Sequence, residues 1–115
     1  MPRGDNDVEL LTKEITAKLP PIGATEKIPS AEKVCVVKYF QPWGSWTWYA
    51  VEFDGKDTFF GLVDGFELEW GYFSLSELRS VKGPLGLTIE RDLYFGTPKM
   101  KDIPALKGRE DSWCY

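Results

Sequence analysis

The sequence has 115 residues, 43% of them hydrophobic and 15% aromatic, and a formal net charge of −4. Because it contains no histidine and only two cysteines, the usual Ser-His-Asp and Cys-His catalytic systems are excluded and a four-ligand zinc site is disfavoured. No apolar run approaches the roughly 20 residues of a membrane-spanning helix, and the N-terminus lacks the apolar region of a secretory signal. We therefore expect a cytoplasmic protein with no metal, no cofactor and no membrane association.

The first predicted element is an amphipathic helix from Val8 to Leu19. Asp7 can serve as its N-cap and Pro20 stops it. Residues 1–7 are polar, and we expect them to be flexible. The apolar positions of the helix recur at spacings of three and four residues: Val8, Leu11, Ile15 and Leu19.

Four strands are predicted next, from runs rich in β-branched and aromatic residues. Asp-Gly pairs at Asp54-Gly55 and Asp64-Gly65 are strong hairpin signals between such runs. The short connections favour an antiparallel meander. The predicted strands are Val34–Phe40, Trp46–Phe53, Thr58–Val63 and Phe66–Phe73.

A short second helix is predicted after the last strand. Ser74 and Glu77 have the spacing of a capping box, and the helix is expected to end near Val81. The pattern predicts a single α+β domain over residues 8–96, with a sheet of about four strands, the N-terminal amphipathic helix and this short helix. Residues 97–115 are charged and interrupted by proline and glycine, so they are expected to form a flexible tail.

The segment 39–73 is both aromatic and acidic. It holds 13 of the 17 aromatic residues, and its six carboxylates against one lysine give it a charge of −5. Aromatic residues dominate binding hot spots, and the acidity favours a basic protein partner over direct binding to nucleic acid. The candidate partner-binding residues are Trp43, Glu52, Asp54, Asp57, Asp64, Glu67 and Glu69.

Two alternatives remain open from the residues alone. The first is a small enzyme or ligand-binding domain that uses carboxylates and a pocket lined by Tyr49, Trp70 or Tyr72, although no catalytic residue is assigned and a non-enzymatic role is favoured. The second is an accessory factor that binds nucleic acid through its aromatic rings, which a platform with one lysine against six acids disfavours.

Three long runs of the chain resemble one family. LLTKEITAKLPPI, WTWYAVEFDGKDTFFGLVDGFELEWGYFSLSEL and GPLGLTIERDLYF are similar to the family known as domain of unknown function 2958. The resemblance covers most of residues 10–95. It implies a small protein of conjugative plasmids, integrative elements and phages, with a role against host defence such as inhibition of restriction or of CRISPR nucleases. The implied partner is a host nuclease or defence complex.

Overall fold

A computed structural model describes residues 9–115, which form an antiparallel sheet with short helices on it. The strands lie in the order β4-β3-β2-β1-β5. The α+β architecture predicted from the sequence is confirmed, with five strands where about four were expected. In chain order the elements are α1 (Lys13–Lys18), β1 (Val37–Phe40), β2 (Thr47–Phe53), β3 (Thr58–Asp64), β4 (Leu68–Ser74), α2 (Leu75–Ser80), β5 (Glu90–Arg91) and α3 (Glu110–Trp113).

Helix α1 is shorter than the predicted helix. It begins at Lys13 because Thr12 is extended and its side chain accepts a hydrogen bond from the Ile15 N–H, which makes Thr12 the N-cap. The predicted cap Asp7 and the predicted flexible residues 1–7 lie outside the described residues. Val8, the first residue of the predicted helix and stripe, also lies outside the described residues. The other three stripe positions are apolar contacts of one core: Leu19 is buried, and Leu11 and Ile15 pack against the same cluster.

Strand β1 is also shorter than predicted, and β5 was not assigned from the sequence. Residue Val34 forms an isolated bridge with Lys99 instead of extending β1. Strand β5 pairs with β1 through Tyr39 and Arg91. It has only two residues, and such a short pairing leaves no periodic pattern for sequence reasoning to detect.

One face of the sheet, which we call the helix face, packs against α1 and α2. Its sheet residues include Tyr39, Trp48 and Phe59, and the stacked rings of Phe59 and Phe73 lie 5.2 Å apart. Helix α2 contributes Leu75 and Leu78 to this core. A capping box formed by Ser74 and Glu77 begins α2, as the sequence predicted.

The other face, which we call the tail face, is covered by the C-terminal segment. Residues 97–115 were expected to be a flexible tail. In the structure they instead place apolar side chains on the sheet, and Trp113 is only 1% exposed. Proline and glycine break this segment into short turns, and its few apolar residues are spaced so that they reach one core. The tail-face cluster is Cys35, Tyr49, Val51, Leu62, Leu68, Met100, Ile103, Leu106 and Trp113.

A β-bulge in β2 changes which face its last residues occupy. Ala50 pairs with Gly61 and Glu52 pairs with Phe60, so Val51 is an extra residue on β2. Side chains alternate between faces along a regular strand, and the extra residue places both Val51 and Glu52 on the tail face. The bulge thereby turns Glu52 away from the helix-face core, which is how bulges re-aim side chains.

Candidate functional site

Glu52, predicted as a partner-binding residue, is buried and 3% exposed. Its Oε1 accepts a hydrogen bond from the Gly23 N–H at 2.7 Å, and its Oε2 accepts from the Thr25 N–H at 2.9 Å and from the Thr25 hydroxyl. Burial opposes ionisation of Glu52, but these hydrogen bonds and the charge of Lys33 outweigh it, so its pKa lies below the ordinary 4.5. The Glu52 carboxylate therefore binds the loop that contains Gly23 and Thr25 to the sheet, and it is not exposed on the surface.

Asp54 and Asp57 shape the hairpin between β2 and β3. Asp54 Oδ1 accepts from the backbone N–H groups of Lys56, Asp57 and Thr58 at 2.8 to 3.0 Å. These bonds, that of Lys56 first, lower the pKa of Asp54. Asp57 accepts from both the backbone N–H and the hydroxyl of Ser76, at 2.8 and 2.7 Å. Both carboxylates thus have structural partners within the fold.

Asp64 and Trp43 are also engaged inside the molecule. Asp64 receives two hydrogen bonds of 2.9 Å from the guanidinium of Arg109, a bidentate geometry. Trp43 is half-buried and lies on Gly83, where an added Cβ would stand 2.5 Å from the indole ring. Trp43 therefore packs against the helix-face core.

Glu67 and Glu69, predicted as partner-binding residues, are exposed. They stand at the edge of the sheet beside Phe66, which is 94% exposed, and Tyr72, which is 67% exposed. Phe66 also packs edge-on against Trp46, with ring centroids 5.0 Å apart. We call the exposed side chains Phe66, Glu67, Glu69 and Tyr72 the β4 surface.

The seven predicted residues do not form one surface. Asp54 and Asp57 come just before β3, which begins at Thr58. Asp64 is the last residue of β3, and Glu67 lies just beyond it. A seven-residue strand separates these two groups by roughly 20 Å. Only Glu67 and Glu69 of the seven are exposed acids that belong to the β4 surface, so the candidate interaction site contracts to that edge.

A cleft of about 520 Å³ opens on the tail face, beside the β4 surface. Phe60, Trp70 and Tyr72 form its sheet side, and residues 26–30 form the opposite side. Glu52 and Lys33 also line it. Trp70 and Tyr72 were among the residues expected to line a pocket, whereas Tyr49 is 1% exposed in the core, where burial raises its pKa to about 12.

Lys33 was not recognised from the sequence. It is 7% exposed, and its Nζ donates to the Thr25 carbonyl and, at 3.1 Å, to the Thr25 hydroxyl. The available signal was weak: Lys33 precedes the apolar run VCVV, as many surface lysines do. Lys33 and Glu52 both bond to Thr25, and this arrangement depends on a chain reversal that no local pattern specifies.

Within residues 9–115, no helix is long and apolar enough to cross a membrane. In the same part of the chain, no three potential metal ligands of the His, Cys, Asp or Glu type come together. Cys35 and Cys114 are free thiols.

The comparisons with known proteins give one match. The family model described as "Protein of unknown function (DUF2958)" matches residues 10–102. No curated protein and no solved structure matches the chain. The match spans the whole sheet and ends before Leu106 and Trp113, which complete the tail-face core.

Proposed function

Since the chain belongs to the DUF2958 family, we propose that it is a non-enzymatic protein-binding module of a mobile genetic element that inhibits host defence. Its target would be a restriction or CRISPR nuclease or a related complex, met through a basic patch. The mobile-element setting follows from the family resemblance of the sequence, which is an associational argument. The choice of surface follows from the geometry of β4.

Within residues 9–115, no strand pairs with the outer edge of β4, and this free edge is the observation that carries the proposal. Two hydrogen bonds flank the pairing of β3 with β4: Gly65 N–H to the Glu67 carbonyl and Leu75 N–H to the Asp57 carbonyl. In an antiparallel pair of strands, residues that hydrogen-bond to the partner strand alternate with residues that do not. The two flanking bonds therefore determine which residues of β4 hydrogen-bond to β3. The backbone groups of Leu68, Trp70 and Tyr72 consequently point away from β3.

An edge of this kind can pair with another chain. Natural edge strands carry charges that discourage pairing with copies of themselves, and Glu67 and Glu69 supply such charges here. The same carboxylates favour a partner with lysine or arginine opposite them, because opposite charges stabilise cross-strand pairs. The exposed rings of Phe66 and Tyr72 add apolar area of the type found at binding hot spots.

Charge reversal on β4 tests the proposal. The double variant Glu67→Lys/Glu69→Lys should abolish protection of a plasmid that is transformed into a restricting or CRISPR-competent host, because it places like charges against the basic partner. The readout is transformation efficiency with and without the protein. The variant should remain folded, since both side chains are exposed.

The matched control is Glu9→Lys/Glu14→Lys, which makes the same change in net charge at two exposed acids away from β4. Protection should persist in this control. If wild-type protein protects against neither defence system, or if the β4 variant protects as well as wild type, the proposed function is wrong.

A further inference from the structure

The sheet side of the 520 Å³ cleft is an aromatic platform. The rings of Phe60 and Trp70 lie 5.7 Å apart and 15° from parallel, and Tyr72 lies 5.2 Å from Phe60. The Trp70 indole N–H donates to the Trp113 carbonyl at 2.8 Å, which fixes the orientation of the indole. Tyr72 is 67% exposed, so the platform is accessible, with Tyr115 of the C-terminal segment lining the same cleft.

The polar part of the cleft is a buried, charged cluster with unused hydrogen-bonding capacity. Thr25 takes two of the three protons of the Lys33 ammonium. The Glu52 carboxylate has about four acceptor positions, of which Gly23 and Thr25 occupy three. With respect to residues 9–115, one donor and one acceptor therefore remain for a ligand.

Such a cluster is costly if it serves stability alone. Replacement of buried opposite charges by apolar residues often leaves folding stability unchanged or increases it. Buried charges are therefore not needed merely to hold the loop in place. A buried carboxylate with a perturbed pKa, such as Glu52, in a cleft is a recognised mark of functional sites. The β-bulge that turns Glu52 into the cleft is the kind of feature found beside such sites.

We propose that this cleft binds a nucleobase, presented as a free base or nucleoside. The cleft volume lies within the range of small-molecule sites, and the aromatic platform suits a planar ring that stacks on it. The lactam or amidine edge of a base offers an acceptor beside a donor, which matches what Lys33 and Glu52 leave unused. This inference does not depend on the proposed function.

The charge of the cleft selects a neutral ligand over an anionic one. Lys33 is balanced by Glu52, and Lys27 at the rim is balanced by Glu26. Nothing in the lining therefore supplies the net positive charge that phosphate binding uses. Nucleosides are expected to bind without their phosphate, and the 5′-monophosphates are expected to add little affinity.

The test is calorimetric titration of the protein with adenosine, guanosine, cytidine and uridine, alongside their monophosphates and inorganic phosphate. At least one nucleoside should bind. Tyr72→Ala should weaken that binding by about tenfold or more, as expected for loss of one stacking ring, whereas Tyr72→Phe should retain it.

Phe66→Ala is the matched control, because it removes another exposed ring from the same edge but outside the cleft. It should leave nucleoside affinity unchanged. The proposal is overturned if no nucleoside binds at millimolar concentration, if binding requires the phosphate, or if Phe66→Ala and Tyr72→Ala weaken binding equally. Binding restricted to single-stranded oligonucleotides would also overturn it.

Discussion

At the scale of single residues, Glu52 joins two parts of the chain that are far apart in sequence. Its carboxylate receives hydrogen bonds from Gly23 and Thr25, 29 and 27 residues earlier, and it faces the ammonium of Lys33. Buried donors that lose their acceptor, and buried charges that lose their partner, are expensive. The position of the loop that lines the cleft therefore depends on Glu52 together with Lys33.

Glu52→Gln should lower the free energy of unfolding by roughly 2–4 kcal/mol at neutral pH, because it removes the charge that faces Lys33 and places an NH₂ group against N–H donors. The lowered pKa of Glu52 fixes the sign of the pH dependence. The stabilising contribution is complete above the ordinary pKa of 4.5 and is lost as the pH falls through the lowered value. Urea titrations at several pH values should therefore show that the stability difference between wild type and variant becomes smaller in acid.

Glu69→Gln, at an exposed position, is the control and should change the free energy of unfolding by less than about 0.5 kcal/mol. Equal effects of Glu52→Gln and Glu69→Gln would contradict the proposed role of Glu52.

At the scale of elements, the hairpin between β2 and β3 and the helix α2 are built as one unit. Asp57 of the hairpin binds Ser76 in the first turn of α2, and its carbonyl accepts from the Leu75 N–H at 2.8 Å. Ser74 accepts from the Glu77 N–H at 3.0 Å, while Glu77 accepts from the Ser74 N–H. A six-residue helix has little stability of its own, so these contacts and the burial of Leu75 and Leu78 keep it in place.

Ser74→Ala should lower the free energy of unfolding by about 1 kcal/mol, the typical cost of losing an N-cap. Chemical denaturation measures the loss, and amide hydrogen exchange should report it first in α2. Ser45→Ala, at an exposed loop position, is the control and should be nearly neutral. If the two variants were equally stable, the capping box would contribute nothing.

At the scale of the whole molecule, the sheet is covered on both faces by segments from opposite ends of the described chain. The C-terminal segment is tied down by ion pairs of Lys99 and Lys101 with Glu32, each 2.9 Å, which lower the pKa of Glu32 to about 2. Surface pairs of this kind are weak, so the main stabilisation comes from burial of apolar side chains. Trp113 is the largest of them, and its indole N–H donates to the Leu106 carbonyl.

Trp113→Ala should lower the free energy of unfolding by about 3–5 kcal/mol, as for other buried tryptophans. That loss is a large fraction of the roughly 5–15 kcal/mol available to a domain. Urea denaturation measures it, and Tyr115→Ala, at a residue 83% exposed, should cost less than about 0.5 kcal/mol. A loss below about 1 kcal/mol for Trp113→Ala would mean that residues 97–115 are a dispensable tail after all.

Local patterns predicted the elements that are locally encoded. The Asp-Gly turns and the capping box of α2 each depend on residues within a few positions of one another, and the structure contains them. The apolar stripe that ends at Leu19 predicted an amphipathic helix, and the apolar side of this helix packs against the helix-face core. The fold class was therefore available from the sequence.

The site was not predictable to the same degree. Residue type and local charge indicated seven partner-binding residues. Four of them have partners elsewhere in the chain, such as Arg109 for Asp64 and Gly83 for Trp43, and a fifth, Asp54, accepts hydrogen bonds from the backbone of its own hairpin. The tail was similarly misjudged, because sparse apolar residues such as Met100 and Trp113 show no period until a sheet face exists for them to cover.

The sequence by itself determined an acidic, aromatic α+β domain, since composition, turn chemistry and short-range periodicity are properties of neighbouring residues. Only the tertiary structure decided that Glu52 and Lys33 meet in a cleft and that the β4 edge remains open. Both outcomes depend on a one-residue bulge and on where distant segments end. Such long-range choices are fixed by packing of the whole chain, so no local pattern records them.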